Sequence, residues 1–275
     1  LSEKAKSLQP IGGHSMLSRI YEVASKVAKT TTFVIGHDKS SLIDEFKTLK
    51  GNFNFSEQAK PLGTADAVKS SLSMIPEKST LLVLYGDVPL IRESTLKQLI
   101  SNTEDSLAIL TTVVDKPFGY GRVKKNDGGY AISIIEEKDA SEDERKIKEI
   151  FTGILCCKKD LLVSAVNAVK NDNVANEYYL TDIVSIIAEK GYKIKTCIAP
   201  NDEVKGANTK EELLELENIY RSMKANELLN MGVTISDLSR IDIRGNVEVG
   251  KDCFIDVNVI LSLIHISEPT RREYI

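Results

Sequence analysis

Residues 81–89, Leu-Leu-Val-Leu-Tyr-Gly-Asp-Val-Pro, decide the fold class of this 275-residue chain. The apolar run over residues 80–85 predicts a strand buried on both faces, as in parallel sheets. Asp87 follows directly, and Gly86 lets a ligand approach the backbone closely. Because ligands of α/β sheets bind at the carboxyl ends of strands, Asp87 is a candidate contact for a metal and phosphates. The alternative is a turn aspartate that caps the following helix, and the residues leave both open.

Predicted helices and strands alternate on both sides of this segment. Residues 16–27, 64–74 and 93–100 show helical spacing of apolar side chains, whereas residues 31–35 and 108–114 are typical of strands. This alternation predicts an α/β domain with a mixed, mostly parallel sheet that is covered by helices. Residues 114–155 differ, because Asn126-Asp-Gly-Gly129 supplies the turn of a hairpin, and we interpret them as an insertion over the site.

Composition excludes several classes of protein. Hydrophobic residues make up 42% and charged residues 28% of the chain, which excludes disorder of the whole chain. The 36 basic and 40 acidic side chains give a net charge of -4, which argues against nucleic acid binding through a basic face. We find no apolar run of membrane-spanning length and no signal peptide, so we expect a cytoplasmic protein without membrane insertion. The four cysteines lack metal-ligand spacing and are expected to be apolar interior residues.

The period of the apolar residues changes to six near the C-terminus. The apolar residues of the two phases are Ile243, Val249 and Ile255, and Val247, Cys253 and Val259. This repeat is typical of a parallel β-helix, in which each hexad forms one flat side. About three hexads make one coil, which is too little to bury a core alone, so we expect the opening of a longer β-helix.

The repeat ends abruptly. Residues 261–271, Leu-Ser-Leu-Ile-His-Ile-Ser-Glu-Pro-Thr-Arg, resemble a translated sequencing adapter, and we expect residues 261–275 to be foreign to the gene. Native sequence with a loop insertion is the alternative. We therefore assign no function to His265 or to the terminal arginine pair.

Two further motifs carry polar groups at the ends of predicted elements. Gly63-Thr64 precedes a predicted helix, where backbone N–H groups and a hydroxyl could contact an anion or a carbonyl. The alternative is an ordinary helix N-cap formed by Thr64. Glu136-Glu-Lys-Asp139 ends a predicted strand, and its alternative is a solvated edge.

These motifs in this order resemble the bacterial bifunctional UDP-N-acetylglucosamine pyrophosphorylase / glucosamine-1-phosphate N-acetyltransferase family from about Ser2 to Ile260. The segments that carry the resemblance are Gln58-Ala-x-x-Leu-Gly-Thr64, Leu84-Tyr-Gly-Asp-Val-Pro-Leu90, Gly119-Tyr-Gly-Arg122, Glu136-x-Lys-Asp-Ala140, Thr152-Gly-Ile-Leu155, Glu177-Tyr-Tyr-Leu-Thr-Asp182 and Gly206-Ala-Asn208. The resemblance implies a Rossmann-like nucleotidyltransferase domain followed by the start of a left-handed parallel β-helix. The resemblance implies four parts. These are the nucleotidyltransferase domain at residues 1–209, a connecting helix and linker at residues 210–240, the first coil of the β-helix at residues 241–260, and the foreign tail at residues 261–275.

The resemblance also implies an activity and its residues. The family transfers UMP from UTP to N-acetylglucosamine 1-phosphate, which gives UDP-N-acetylglucosamine for peptidoglycan synthesis and releases pyrophosphate. The implied roles are Mg²⁺ ligation by Asp87 and Asn208, phosphate contact by Lys6, uracil binding by Gln58, Gly63 and Thr64, sugar contacts by Gly121, Glu136 and Thr152, and further substrate contacts by Tyr85 and Gly86. Because the sugar phosphate already carries a nucleophilic oxygen, positioning and charge neutralisation by Mg²⁺ and lysine suffice. The full-length family forms homotrimers.

Departures from the family qualify these expectations. The family begins with a strand and a Gly-rich phosphate loop that would precede residue 1, and we expect the chain as given to be a poor catalyst. Phe151 stands where the family has a sugar-binding Asn, Ala5 replaces a Pro, and Asp66 replaces a His. Acetyl transfer is not expected from one coil of the second domain.

Two alternatives follow. One is a nucleotidyltransferase for another sugar or base, which Phe151 favours. The other is a non-catalytic scaffold whose β-helix start directs assembly, against which the Asp87 and Asn208 pair argues.

Overall fold

The computed structural model describes residues 5–36, 39–46, 51–104, 106–245, 247–250 and 252–262. The chain divides into two compact units, of which one is Ile20–Lys205 and the other combines Leu1–Arg19 with Gly206–Ile275. Apart from Leu261 and Ser262, the predicted foreign tail lies outside the described residues. No helix within the described ranges is long and apolar enough to cross a membrane.

Helices and strands alternate as the sequence predicts. The α-helices are α1 (Met16–Val27), α2 (Lys39–Phe46), α3 (Thr64–Ser71), α4 (Glu93–Thr103), α5 (Lys159–Val166), α6 (Asp182–Glu189), α7 (Asn201–Val204) and α8 (Lys210–Asn230). The strands are β1 (Pro10–Ile11), β2 (His14–Ser15), β3 (Thr31–Ile35), β4 (Phe53–Glu57), β5 (Thr80–Val83), β6 (Leu107–Val113), β7 (Arg122–Lys125), β8 (Ala131–Ile135), β9 (Glu149–Lys158), β10 (Lys195–Ile198), β11 (Thr234–Ile235), β12 (Ile241–Ile243), β13 (Phe254–Ile255) and β14 (Val259–Leu261). Short 3-10 helices cover Lys6–Leu8, Leu72–Met74, Glu144–Lys146 and Leu238–Arg240.

A six-stranded mixed sheet forms the centre of the unit Ile20–Lys205. Its order is β10-β6-β9-β7-β8, and β5 pairs with β9. β10 is parallel to β6, whereas β9 is antiparallel to β5, β6 and β7, and β8 is antiparallel to β7. Strands β5, β6, β7 and β10 therefore run in one direction and β8 and β9 in the other. Most strands are parallel in direction, as predicted, but β9 lies between them.

Strand β5 is shorter and more exposed than predicted. It ends at Val83, with Leu81 buried and Leu82 and Val83 half-buried. Leu81 and Val83 pack in one apolar cluster and Leu82 packs in the other, so both faces are covered as predicted, but the burial is incomplete. Within the described part of the chain, β5 pairs with β9 alone, so its other edge has no strand beside it there. Its end nevertheless leads directly to Asp87, as the sequence indicates.

Helices cover both faces of this sheet. Leu107 and Ile109 of β6 belong to one apolar cluster, which also contains residues of α3, α5 and α6. Ala108 and Leu110 belong to a second cluster together with residues of α4 and α1. Since successive side chains of a strand point to opposite faces, β6 is buried on both sides, as expected for a central strand.

A small parallel sheet of β3 and β4 lies in the same unit. Five aromatic rings pack around it at centroid distances from 4.3 to 6.2 Å, and they are Tyr21, Phe33, Phe46, Phe53 and Phe55. These edge and tilted contacts stabilise a cluster to which most of the phenylalanines of the chain belong.

The second unit contains the β1–β2 ladder, α8 and two short parallel pairs, β11–β13 and β12–β14. α8 begins with a capping box, in which Thr209 accepts the Glu212 N–H at 3.1 Å and the Glu212 carboxylate accepts the Thr209 N–H at 3.0 Å. Ala225 and Leu228 of α8 pack on Ile241, Ile243 and Ile255. The short strands thus depend on α8 for part of their core.

Candidate active site

The segment before α3 is fixed to residues 177–181, which form the loop before α6. The Tyr178 N–H donates to the Leu62 carbonyl, and the Ala65 N–H donates to the Tyr178 carbonyl, both at 2.9 Å. Gly63 lies between these bonds with φ +125°, and a Cβ there would come within 2.5 Å of the Tyr178 carbonyl oxygen. Only glycine allows this approach of two backbones. The loop before α6 therefore belongs to the site.

Thr64 does not cap α3. The N-cap is Gly63, without a side-chain hydrogen bond, so the N-cap interpretation of Thr64 is wrong. The Thr64 hydroxyl instead accepts the Leu180 N–H at 2.9 Å and hydrogen-bonds to Tyr85. One side chain thus joins the end of β5 to the loop before α6.

Gln58 is held beside the same loop. Its side-chain amide donates to the Gly63 carbonyl at 3.0 Å and to the Asp66 carboxylate at 2.8 Å. Asp66, which stands where the family has a His, therefore has a local role, because its carboxylate fixes the Gln58 amide at the start of α3.

Tyr85 lies across strand β9 at Gly153. Gly153 has φ +86°, and a Cβ at this position would be 2.7 Å from two ring carbons of Tyr85. Burial raises the pKa of Tyr85 to about 12, and the Glu136 and Asp87 carboxylates act in the same direction. The Tyr85 hydroxyl is therefore a neutral hydrogen-bonding group close to two carboxylates.

Asp87 is half-buried directly after this tyrosine and Gly86. The helix that follows, α4, begins at Glu93 with Arg92 as its N-cap, so Asp87 does not cap it and the capping alternative is wrong. Gly86 and Asp87 form a turn, and the Val88 N–H contacts the Tyr85 carbonyl at 3.4 Å. Asp87 is thus a turn residue that does not cap the helix, and its role in the site stays a prediction.

Glu136 is half-buried at the end of β8 rather than on a solvated edge. Its carboxylate accepts a hydrogen bond from the Thr181 hydroxyl at 2.9 Å. Burial raises the pKa of Glu136, and the Thr181 bond partly offsets this effect. Polar groups on β8 and on the loop before α6 therefore converge.

Gly121 lies opposite Glu136 at the open end of the β7–β8 hairpin. Arg122 pairs with Ile135 in the ladder, so Gly121 and Glu136 are the next residues outward on the two strands. A Cβ on Gly121 would be 3.7 Å from the Glu136 carboxyl group, and the Gly121 carbonyl accepts the Phe151 N–H at 2.9 Å. The predicted insertion thus brings two predicted sugar contacts together.

Thr152 and Phe151 point to structural roles. The Thr152 hydroxyl donates to the Leu110 carbonyl at 2.8 Å, which uses its proton within the sheet. Phe151 is 6% exposed and belongs to the apolar cluster with Leu107 and Ile109. At the Phe151 position the site therefore presents no polar side chain.

Lys6 and Asn208 are adjacent in the other compact unit. The Lys6 ammonium donates to the Asn208 amide oxygen at 2.6 Å. The Asn208 N–H in turn contacts the Glu212 carboxylate of the α8 capping box. The structure thus brings together the predicted phosphate contact and one of the two predicted Mg²⁺ ligands.

The side chains suited to a hard cation are Asp87 and Asn208, whose donors are carboxylate and amide oxygens. Such oxygens are the ligands that Mg²⁺ takes in proteins, usually with several waters and substrate phosphates. Within the described ranges, no group of three or more His, Cys, Asp or Glu side chains could hold a metal by itself. Asp87 and Asn208 lie in different compact units, and each by itself carries an oxygen donor of the kind that Mg²⁺ takes.

The structure adds residues to which the sequence assigns no individual role. They belong to motifs of the chain and are Tyr178, Leu180, Thr181, Asp182 and Gly153. Burial raises the pKa of Asp182 to about 6, and Glu136, Asp172 and Asp139 add to this effect. A polar run between elements was the available signal for the loop, whereas Gly153 carried none.

Comparison with known proteins identifies the family. A family model described as nucleotidyl transferase matches residues 2–202. The chain is 42% identical over 260 residues to the bifunctional protein GlmU of Methylococcus capsulatus, covering 93% of this chain and 56% of that protein. It is 39% identical over 264 residues to the bifunctional protein GlmU of Acinetobacter baumannii, covering 94% of this chain and 57% of that protein.

A third relative gives the same result. The bifunctional protein GlmU of Burkholderia multivorans is 39% identical over 258 residues, which cover 93% of this chain and 56% of that protein. The chain thus spans little more than half the length of these relatives. With a nucleotidyl transferase match over most of its length and such identities to several GlmU proteins, the chain belongs to the GlmU family of nucleotidyl transferases.

Proposed function

We propose that this protein transfers UMP from UTP to N-acetylglucosamine 1-phosphate, giving UDP-N-acetylglucosamine and pyrophosphate. The observation that carries the proposal is the convergence of two hydrogen-bonded pairs, Thr64 with Tyr85 and Thr181 with Glu136, close to Asp87. Three segments distant in sequence converge there at the end of β5, where α/β sheets bind ligands. In a chain of this family, such a group is suited to hold a sugar phosphate next to a nucleotide.

Each residue would bind or orient a part of the substrates. Gln58, Gly63 and Thr64 would bind the uracil, since their backbone and side-chain positions are fixed by the loop before α6. Gly121 and Glu136 would contact the sugar from the open end of the hairpin. Tyr85 and Gly86 would line the site between them, and Thr152 would support its floor through β6.

The chemistry needs no general base from the protein. The sugar 1-phosphate oxygen is already anionic, so the protein must bring it in line with the α-phosphorus of UTP and neutralise charge. Lys6 would contribute a positive charge to a phosphate, leaving its bond to Asn208. Pyrophosphate then leaves with the electron pair of the broken P–O bond.

Asp87 and Asn208 would hold Mg²⁺, and this assignment comes from the resemblance and from the oxygen donors they carry. Bound Mg²⁺ supplies charge neutralisation at the phosphate oxygens. Asp87 and Asn208 lie in different compact units, so each is proposed on its own residue type and motif.

The C-terminal strands support a second part of the proposal. Residues 241–260 would form the first coil of a left-handed parallel β-helix. Thr234 pairs in parallel with Phe254 and Ile241 with Val259, which are spacings of about one coil of three hexads. The division at residues 209 and 240, the homotrimer and the cytoplasmic location stay predictions.

A different sugar is the second candidate. The observation that favours it is Phe151, which is buried in the core and offers no hydrogen bond. A protein of this kind would accept another hexose 1-phosphate, and a panel of sugar phosphates with UTP distinguishes the two candidates by their relative kcat/KM.

The test measures Mg²⁺-dependent pyrophosphate release from UTP and N-acetylglucosamine 1-phosphate, both by the chain as given and by the chain preceded by the family's strand and Gly-rich phosphate loop, and the variants are made in the more active of the two. We expect Asp87→Asn to lower kcat by about 10²- to 10³-fold, because it removes one negative ligand at the site of charge development. Asp127→Asn, in the exposed hairpin turn, serves as the control and should behave as wild type. Turnover of Asp87→Asn at the wild-type rate would contradict the metal assignment, and turnover with other sugars alone would contradict the substrate.

A further inference from the structure

Arg122 is a buried cation at the first residue of β7. Its side chain is only 2% exposed, although guanidinium groups normally lie in solvent. A buried charge is tolerated only when partners compensate for the lost hydration. The partners of Arg122 therefore indicate what the residue does.

These partners all lie at the open end of the β7–β8 hairpin. Arg122 Nη2 donates to Glu137 Oε2 at 2.6 Å, and the same oxygen accepts the Gly119 N–H at 3.1 Å. Arg122 Nη1 donates to the Tyr120 carbonyl. One ion pair thus ties two successive residues of the loop before β7 to the residue that follows Glu136.

The ion pair lies next to the predicted sugar contacts. Gly121 immediately precedes Arg122, and Glu136 immediately precedes Glu137, so the ion pair is one residue away from this pair on each strand. The Gly121 Cα and the Glu136 carboxyl group are close enough that a Cβ would touch the carboxyl at 3.7 Å. Any movement of the Arg122–Glu137 pair would alter this separation.

We propose that Arg122 is a positioning residue for the sugar phosphate. With Glu137 it holds residues 119–121 at a fixed distance from the Glu136 carboxylate, so that a glycine backbone and a carboxylate meet the sugar in one orientation. This inference rests on the proposed function, which assigns Gly121 and Glu136 to the sugar. The planar guanidinium suits the role, since its fork binds a carboxylate and a carbonyl simultaneously, whereas an ammonium acts as a point charge.

An unsatisfied donor supports this interpretation. Arg122 Nε is buried and has no hydrogen-bond partner in the described part of the structure. Nearly all buried polar atoms in proteins have partners, so an orphan group needs an explanation. The positions of the Tyr120 carbonyl and of Glu137 explain the orphan group. They fix the two Nη atoms of Arg122 and leave its Nε without an acceptor.

The test compares three variants of the protein. Arg122→Lys keeps the charge and removes the fork, and Glu137→Gln keeps the shape and removes the ion pair. Arg145→Gln is the matched control, because Arg145 Nε also approaches Glu137, at 3.4 Å, but is 48% exposed, and Arg145 has no hydrogen bond to residues 119–121. Steady-state kinetics give KM for UTP and for N-acetylglucosamine 1-phosphate, and hydrogen–deuterium exchange follows a peptide containing residues 117–121.

We expect Arg122→Lys and Glu137→Gln to raise KM for the sugar phosphate about tenfold and to leave KM for UTP within about twofold. Exchange in the 117–121 peptide should accelerate at least about tenfold in both variants. Arg145→Gln should match the wild type in all three measurements. Since Glu137 is more exposed than Arg122, Glu137→Gln keeps the test valid if Arg122→Lys folds poorly.

Two results would overturn the proposal. One is unchanged exchange and unchanged KM in both variants, and the other is an equal rise in KM for both substrates, which would indicate a general role in the fold. Failure of the proposed function would give a different result, because the wild-type protein would then release no pyrophosphate from UTP and N-acetylglucosamine 1-phosphate. Exchange would still decide, in that case, whether the ion pair holds the loop.

Discussion

Two groups of predicted site residues, one in each compact unit, are built differently. Around Thr64 and Glu136, side chains bond to segments far away in sequence, and burial raises the pKa values of Tyr85 and Glu136. Lys6 and Asn208, in the other compact unit, bond to one another at 2.6 Å near the surface. The side chains around Thr64 and Glu136 are fixed by hydrogen bonds to distant segments of the fold. The other group consists of the long charged side chain of Lys6 and the exposed amide of Asn208.

This difference matches two tasks in the proposed reaction. An uncharged sugar ring is distinguished by hydrogen-bond geometry, so its contacts gain from being rigid before the substrate arrives. Phosphate groups carry strong charge that moves during the reaction, and a flexible ammonium can follow it. Variants of the first group should therefore change stability together with activity, and variants of the second should change activity alone.

Within this comparison, the largest expected effect concerns the group of Lys6 and Asn208, which we call the flexible part; the group around Thr64 and Glu136 is the rigid part. Lys6→Gln should lower kcat/KM by about 10²-fold, because a positive charge near the phosphates is lost. The free energy of unfolding should change by less than about 0.5 kcal/mol, as is usual for surface residues. Pyrophosphate release and thermal unfolding measure the two quantities.

Lys210→Gln is the control for Lys6→Gln. Lys210 lies in the same unit, and its ammonium contacts the Gln9 amide oxygen at 3.4 Å. It should keep wild-type turnover. If Lys6→Gln unfolded at a markedly lower temperature than Lys210→Gln, the contrast between a rigid and a flexible part would fail.

The sequence predicted the sheet, the hairpin and the place of Asp87 because these depend on local patterns. Apolar runs and Gly-rich turns determine strands and turns within a few residues, and Asp87 follows a strand in the chain itself. The exposure of β5 could not be predicted in this way, since it depends on which strands become neighbours. The burial of a strand depends on which strands pair with it, and not only on the number of apolar residues that it contains.

The same limit applies to the site. Thr181 contacts Glu136 across 45 positions, and Leu180 contacts Thr64 across 116. No periodicity reports such contacts, so the sequence marked the loop before α6 only as a motif. The burial of Arg122 likewise depends on contacts with Glu137 and the Tyr120 carbonyl, which no local pattern reports.

An intermediate effect is expected in the rigid part. Gly153→Ala should place a Cβ 2.7 Å from the Tyr85 ring at a backbone φ of +86°. Backbone strain and the displaced ring should each cost about 1–3 kcal/mol. Because Tyr85 bonds to Thr64, kcat/KM should also fall, by about tenfold. Denaturant unfolding and pyrophosphate release measure the two effects.

Gly191→Ala separates the two causes. Gly191 has the same φ of +86°, but nothing lies within 4 Å of a Cβ built there. It should show the strain alone, with turnover near that of the wild type. Equal losses of stability in both variants would mean that the Tyr85 ring moves aside freely, and the rigid part would then be less constrained than the contacts indicate.

The smallest effect concerns Asp182, which contributes to the rigid part through charge. Burial, and then the Glu136, Asp172 and Asp139 carboxylates, raise the pKa of Asp182 from 3.8 to about 6. Between about pH 4 and pH 6 the folded protein keeps a proton that the unfolded chain has lost, so stability falls as pH rises through this window. Above pH 6 the carboxylate is ionised in the folded protein, and its full destabilisation of the fold remains. An amide in place of this carboxylate carries no charge at any pH.

Asp182→Asn should therefore be more stable than the wild type above pH 6, and the difference should vanish near pH 4. Because solvent screens a half-buried carboxylate, we expect about 1 kcal/mol rather than the full value of the pKa shift. Asp160→Asn, which also removes a carboxylate from the first turn of a helix, controls for the helix dipole and should give no such gain. A pH-independent difference between Asp182→Asn and the wild type would show that neither burial nor the neighbouring carboxylates raise the pKa of Asp182 in the folded protein. The rigid part would then be defined by hydrogen bonds alone.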